Sequence, residues 1–389
     1  MSRQHPAAVR DDRGSAVPAA ADGESRGLPF VAEFDGLRAI AVLFVVATHL
    51  RQVAPDWYGR GLPKGGFLGV DLFFVLSGFL ITSLLLGEQY ARGAIRIGAF
   101  FRRRALRLLP ALALLLAAHV AYAAITDIPA ILEQRSIAAV VTYIGNWKIV
   151  YADGWPPIAP GLAHLWSLAV EEQFYLLWPL VTAVALGRRR SLASVTAMIG
   201  TSILAVALWR IVLTQDAPRG VVYFRTDARA DALLVGALAA HWWVRGRTPR
   251  IPRALANVSA VLLVAAALLV DSSNPLLFNG GFTIVAVAAA LVLLAALDGD
   301  WAARPVLRTA PLRVVGRVSY GLYLWHFPVL VAVATHGDRW SVGTRLVVSG
   351  VLIVSAVSMS RRFVELPFLR WKDRLDRSAR RPRVDASTP

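Results

Sequence analysis

Three kinds of side chain in this sequence could do chemistry together: imidazoles that titrate near neutral pH, carboxylates placed beside them, and clustered arginines. Arg38 and His49 lie eleven residues apart. On a helix that spacing returns them to within about 20° of one face, about 16 Å apart along the axis. One polar stripe then joins a fixed cation to an imidazole suited to general-base work. The plainer alternative has the two ends snorkelling to opposite membrane surfaces. A second constellation holds His164, Glu171 and Glu172. Seven residues put His164 and Glu171 on one face, and Glu171 is expected to orient an imidazole, as carboxylates do beside a catalytic histidine. Whether that imidazole is His49 or His164 stays open at this level.

Arg103, Arg104 and Arg107 form the third group. Arg104 and Arg107 share a helix face, and planar guanidinium groups bind phosphates well. A ligand with several phosphates fits them, although arginines at a helix mouth also serve as anchors. Asp71 and Ser77 interrupt the apolar run of residues 69–79. Ser77 with Gly78 suits close helix packing, whereas Asp71 calls for an arginine partner. His326, two residues before Pro328, reads equally as a hydrogen-bonded structural histidine or as a ligand.

The elements that must position these groups follow from composition. The chain has 389 residues, of which 56% are apolar and 17% charged. Soluble domains have about 25% charged and about 45–50% apolar residues, so much of this surface faces something other than water. A net charge of +17 would ordinarily raise nucleic acid as a partner. Here the basic clusters are separated by long uncharged apolar runs, a pattern of membrane topology, and no nucleic-acid partner is expected. With no cysteine, disulfides, thiolate nucleophiles and Cys-ligated metals are excluded. No metal site is expected.

Ten stretches are long enough to cross a bilayer, which takes about 20 residues: 34–50, 65–86, 105–125, 164–186, 191–213, 229–244, 254–270, 276–297, 318–335 and 340–360. An eleventh, 137–150, is short and broken by Gly145, Asn146 and Lys148. If it does not cross, 30 of the 42 basic residues fall on one side, 11 on the other, and Arg38 on neither. The positive-inside rule then puts both termini in the cytoplasm, and 137–150 becomes a re-entrant or interfacial element in an outer segment, 127–162. The expected fold is an all-α, polytopic integral membrane helical bundle of about ten transmembrane helices, covering residues 30–369. A disordered cytoplasmic tail, 1–29, and a basic cytoplasmic tail, 370–389, flank it.

Six ordered blocks resemble the membrane-bound acyltransferase family 3 proteins, among them O-antigen O-acetyltransferases and macrolide-sugar acyltransferases. The blocks are Phe34-Asp-Gly-Leu-Arg38 with His49, Gly69-Val-Asp-Leu-Phe-Phe-Val-Leu-Ser-Gly-Phe79, Arg103-Arg-Ala-Leu-Arg107, Ser167-Leu-Ala-Val-Glu-Glu-Gln-Phe-Tyr175, Ser319-Tyr-Gly-Leu-Tyr-Leu-Trp-His326, and Arg362-Phe-Val-Glu-Leu-Pro367. The resemblance covers residues 34–369. It implies transfer of an acyl group, usually acetyl, from acyl-CoA in the cytoplasm to a hydroxyl of a sugar, envelope glycan or secreted glycoside, by a multi-pass protein of the plasma membrane. In the family pattern the Arg-ten-His pair matches Arg38 and His49, the Arg-x-x-Arg pair matches Arg104 and Arg107, and the motif glutamate matches Glu171. The implied partners are acyl-CoA as donor substrate, with no permanently bound cofactor, a carbohydrate acceptor and the bilayer. Many relatives carry an extra hydrolase-like domain for which this chain ends too soon, so any later step falls to the bundle or to a separate extracytoplasmic partner. His49 either deprotonates the acceptor or briefly carries the acyl group. A transporter or flippase for a lipid-linked or acylated glycan is the rival reading, since it too needs many spans and charged midplane residues.

Overall fold

The computed structural model describes residues 31–57, 59–126, 128–151, 158–185, 190–298 and 300–378, together with two two-residue strands, Val9–Arg10 and Ala16–Val17, that pair antiparallel. The expected disorder of 1–29 otherwise falls outside the described residues. So does the end of the basic tail, from 379 onward.

Every other regular element among the described residues is helical. Helices α1 (Ala32–His49), α2 (Gly69–Arg92) and α3 (Ile97–Ala123) open the bundle. Two short pieces, α4 (Ala130–Val141) and α5 (Gly145–Val150), precede α6 (Trp166–Ala185) and α7 (Leu192–Asp216). After a single turn, α8 (Arg219–Tyr223), come α9 (Ala230–Val244), α10 (Arg253–Leu269) and α11 (Phe282–Leu297). Short α12 (Arg304–Leu307) and α13 (Ala310–Arg317) lead into α14 (Ser319–His336), α15 (Val342–Met359) and α16 (Leu366–Ser378). The basic stretch after 370 therefore begins as helix.

Helices stand at all ten positions expected to cross the bilayer. Five continuous runs are long and apolar enough to do so by themselves: Gly66–Arg92, Ile97–Ala123, Leu192–Asp216, Leu277–Leu297 and Val342–Leu375. A sixth forms if α13 and α14, bent by 71° at their junction, count as one broken span. Helices α9 and α10 are apolar but shorter, at 15 and 17 residues, while α1 and α6 carry the charges singled out above. The number of spans evident from length and apolarity is thus smaller than ten. The protein is nonetheless a membrane protein: α7, α10 and α15 turn Leu204, Leu208, Val261, Val264, Val347 and Val351 outward, a surface that only lipid would cover favourably.

The segment expected to enter without crossing is the α4–α5 pair, broken at Tyr143, whose φ of 55° is the one positive value among described non-glycine residues. At 12 and 6 residues, or about 18 and 9 Å, neither piece can bridge a hydrocarbon core of about 30 Å.

Glycines set the closest helix crossings. Helix α2 packs against α9 so tightly that a Cβ on Gly78 would lie 2.0 Å from the Leu233 carbonyl oxygen, and one on Gly236 would lie 2.1 Å from that of Val75. At the other end of the bundle α13 lies on the first turn of α1, where a Cβ on Gly316 would sit 1.8 Å from the Asp35 carbonyl oxygen. These crossings hold α1, α2 and α9 in one register. Gly236→Ala and Gly78→Ala are each expected to destabilise the protein by about 1–3 kcal/mol, the usual cost of overpacking. Thermal unfolding in detergent micelles checks this, with the exposed Gly200→Ala on α7, where a Cβ meets open space, as the neutral control.

Candidate active site

The site is built from the ends of three helices. His49 is the last residue of α1, His164 sits in the turn just before α6, and His326 lies in the second turn of α14. His326 Nδ1 faces two carbonyl oxygens of its own helix, at 2.7 Å from Tyr323 and 3.1 Å from Leu322. Carbonyls only accept, so in the neutral ring Nδ1 carries the hydrogen and Nε2 carries the lone pair. That Nε2 lies 3.0 Å from His49 Nδ1. His49 Nδ1–H therefore donates to His326, and the lone pair of His49 is left on Nε2. His326 is fully buried; a chain of two neutral imidazoles thus fixes one tautomer of His49.

His49 and His164 line one cavity of about 220 Å³, together with Thr48, Arg51, Lys64, Trp166, Tyr223 and Tyr323. The ring of Phe327 lies 4.8 Å from that of His49 and 5.1 Å from that of His164, so the two imidazoles approach one aromatic ring. The buried His164 ring is enclosed by backbone, standing against the carbonyls of Leu324, Gly161 and Tyr323. Next to the cavity, Arg225 and Asp227 pair at 2.7 Å in the loop before α9. Burial alone would raise the Asp227 carboxyl, but its hydrogen bonds from Arg225 and Trp209 outweigh that and hold it below the usual carboxylate range.

The second half of the site lies along the axis toward the other end of α1. Arg38 pairs with Asp35 at 3.0 Å. Arg104 grips Glu172, with Nη2 and Nε at 2.7 and 3.0 Å from Oε1, and its guanidinium carbon stands 3.4 Å above the Tyr175 ring. Arg103 is 3.7 Å from Glu88, which also binds Arg92 and Arg96. Arg107 is exposed, and among the described residues it has no ion pair. The arginines expected to act together thus divide: Arg104 is committed to a carboxylate, while Arg107 presents an open guanidinium one turn further along α3.

Glu171 is placed differently from the expectation. Its carboxylate accepts from Ser77 Oγ at 2.9 Å, and it touches neither imidazole. Seven residues of helix separate it from His164 by about 10 Å along the axis, too far for a hydrogen bond even on a shared face. The group that orients His49 is His326, and Ser77 is a ligand of Glu171 rather than packing glue alone. Tyr323, also on α14, was not singled out from the sequence. Its hydroxyl donates to the His164 carbonyl oxygen and lies 2.7 Å from Ser167 Oγ. Its position three residues before His326, on the same helix face, was the available signal.

The acyltransferase domain of acyltransferase family 3 matches residues 31–360. The chain belongs to this family. It is 33% identical over 350 residues to O-acetyltransferase OatA of Staphylococcus aureus (strain NCTC 8325 / PS 47), which covers 86% of this chain and 56% of OatA. It is 34% identical over 361 residues to YrhL of Bacillus subtilis (strain 168), whose name carries a provisional peptidoglycan O-acetyltransferase assignment, covering 87% of this chain and 55% of YrhL. The chain spans about half the length of these curated relatives. No solved structure matches it.

In this family 3 bundle Asp71 lies outside the reacting groups. Arg229 Nη2 holds it at 2.8 Å, with both side chains 1% exposed, and the same guanidinium carbon stands 3.6 Å over Phe282. A companion network joins Arg210 to Asp231 at 2.9 Å and to Thr283 at 2.7 Å. The arginine that Asp71 required comes from α9's N-terminal boundary, a partner 158 residues away that spacing could not name. Removing one member of such a pair leaves an uncompensated buried charge, and Asp71→Ala is expected to cost about 3–5 kcal/mol. The double change Asp71→Leu with Arg229→Met should restore most of that loss. Melting temperatures of the three purified proteins in one detergent check both statements.

Proposed function

We propose that this chain is the membrane part of an O-acetyltransferase, which takes an acetyl group from acetyl-coenzyme A on the cytoplasmic side and delivers it to a hydroxyl of a sugar or glycan at the outer side of the plasma membrane. The observation that carries the reading is the His49–His326 hydrogen bond at 3.0 Å, which leaves the His49 Nε2 lone pair in a ring that lines the cavity. Family membership and the name of OatA support acetyl transfer.

Arg107, with Arg103 and Arg104 beside it, suits the phosphates of the donor. His49 lies about 16 Å further along α1 than Arg38, so the thioester arm must extend through the bundle from the arginines to the imidazole. There His49 Nε2 takes the proton of the acceptor hydroxyl as its oxygen attacks the thioester carbon; the C–S bond breaks and the thiolate recovers the proton. A relay uses the same nitrogen. Nε2 attacks the thioester carbon and the C–S bond breaks, leaving an acetyl-imidazolium and the thiolate; the acceptor oxygen then attacks the acetyl carbon, the C–N bond breaks, and the hydroxyl proton goes to the thiolate. Either route depends on His326 to keep the lone pair on Nε2. Acetyl-CoA turnover by purified protein in liposomes is expected to fall about 10²–10⁴-fold in His49→Ala, the range of a lost general base, and about 10²-fold in His326→Ala, which misplaces the ring. An acid-labile acetyl label on His49 without acceptor distinguishes the relay. Wild-type turnover no greater than that of His49→Ala would contradict the reading and favour the transporter.

The topology that fits this division has ten crossings, with α4 and α5 entering from outside and both termini in the cytoplasm. Its support is the positive-inside distribution, with 30 of 42 basic residues on one side. The chain has no cysteine, so single cysteines report position directly. Asp338→Cys, between α14 and α15, is expected to react with a membrane-impermeant maleimide in intact cells. Thr309→Cys, between α12 and α13, should react only after permeabilisation.

A further inference from the structure

We propose that the outer end of the His49 cavity is a subsite for an acidic sugar, in which Arg51 and Lys64 bind a carboxylate or phosphate of the acceptor while its ring lies against Trp166 and Tyr223. The inference rests on the transferase reading above and names the class of acceptor.

The two cations come from separate segments and meet at one cavity. Arg51 stands two residues beyond His49 in a single turn, Leu50–Gln52, closed by the Val53 and Ala54 N–H groups on the Leu50 carbonyl oxygen at 3.0 and 2.9 Å. Lys64 belongs to the segment that leads into α2. Its N–H donates to the Leu268 carbonyl oxygen at 3.2 Å, and that of Gly65 donates to Ala267 at 2.9 Å. The backbone at Gly65 lies so close to α10 that a Cβ there would sit 2.2 Å from the Ala266 carbonyl oxygen. Arg51 and Lys64 are both exposed, and both line the cavity that His49 lines. Its lining contains no Asp or Glu. Of the carboxylates adjoining that lining in the chain, Asp71 is held by Arg229, Asp227 by Arg225, and Asp271 accepts from Ser273 Oγ. The charge facing the cavity is therefore positive.

Neither the donor nor the topology accounts for these charges. The donor's phosphates belong with the arginines at the other end of α1, and His49 is already about 16 Å beyond Arg38. Only 11 of the 42 basic residues fall in the outer division, where orientation in the membrane calls for few. Two of those 11 line this one cavity.

The rest of the lining suits a sugar ring. Trp166, Tyr223 and Phe224 also line the cavity, with the Trp166 ring 4.8 Å from that of Tyr223 and 5.2 Å from that of Phe224. Aromatic walls with a few placed polar groups are the usual make-up of a small-ligand site. At about 220 Å³ the cavity falls below the range of about 300–1,000 Å³ that encloses a drug-sized ligand, so one sugar unit enters and the remainder of the acceptor stays outside. Its C–H face meets the aromatic rings, one hydroxyl reaches His49, and its anion meets the Arg51 guanidinium, whose planar fork matches carboxylate and phosphate alike. Lys64 adds a second point charge.

For the test, protein in lipid nanodiscs, which leave both faces open, receives acetyl-CoA labelled in the acetyl group and a glycan and glycolipid extract of the cells that carry the gene. Material whose labelling requires His49 is expected to be retained by an anion exchanger at neutral pH. Amidation of carboxyl groups abolishes retention of a carboxylate and leaves that of a phosphate, which separates the two sources. With the retained acceptor purified, Arg51→Gln and Lys64→Gln are each expected to raise its KM about tenfold, as for a lost hydrogen bond to a charged group. The KM for acetyl-CoA should stay within about twofold. Arg51→Lys, which keeps the charge, should lose less, and added salt should weaken the acceptor more in wild type than in the double glutamine variant. Melting temperatures control for folding. Labelled acceptor that passes the exchanger, or an acceptor KM unchanged in the double variant, would overturn the subsite and leave acetyl transfer standing. Absence of His49-dependent label from every fraction is a different result: it would sink the transferase reading and the subsite together.

Discussion

Inside hydrocarbon no water solvates a charge, and each ionised side chain must find its partner within the protein. That cost organises this bundle. Asp71 on α2 is held by Arg229 at the start of α9, Arg210 on α7 by Asp231 on α9, and Glu172 on α6 by Arg104 on α3. Each pair ties two different helices, and breaking one strands a buried charge. The glycine crossing of α2 with α9 holds the two helices at which Asp71 meets Arg229. The resulting register also places the end of α1 against the second turn of α14, where His49 meets His326.

Against that background of paired charges, the exceptions mark the work of the protein. Arg107 is exposed while Arg104, one turn away, is fully engaged. His49 has one nitrogen bound and one left over, in a ring on a cavity wall. A structure under pressure to satisfy every polar group keeps such gaps where a substrate completes them. The cation-rich end and the imidazole end are separated along α1, which suits a donor with phosphates at one end and a reactive thioester at the other.

Much of this was legible before any coordinates. Apolar length and arginine distribution marked a helical membrane bundle with helices at ten positions; the interruption read at Gly145, Asn146 and Lys148 falls instead at Tyr143, and those three residues lie within α5. Arg38 and His49, eleven apart, and the Arg104 to Arg107 spacing pointed to the two ends of the site because both patterns are local. What stayed hidden was long-range. Spacing on α6 put Glu171 and His164 on one face, but the rise of the helix separates them, and the actual partner of His49 lies 277 residues away on another helix. Asp71 announced a need for an arginine without naming Arg229. Tyr323 offered only its place three residues before His326, and its bonds to His164 and Ser167 become visible once α6 and α14 are in contact. Apolar length overstated how many helices qualify as spans by themselves, since α9 and α10 are short and α1 and α6 carry charge.

The central claim is that His326 fixes the tautomer of His49 so that its lone pair sits on Nε2. Solid-state nitrogen NMR of protein labelled with ¹⁵N-histidine, reconstituted in lipid and compared with the His49→Ala and His326→Ala variants, reads this directly. The account predicts that the His49 signals report a protonated Nδ1 and an unprotonated Nε2, and that this preference is lost in His326→Ala. A His49 ring with its hydrogen on Nε2 in the unliganded protein, or one unchanged by removal of His326, would contradict it.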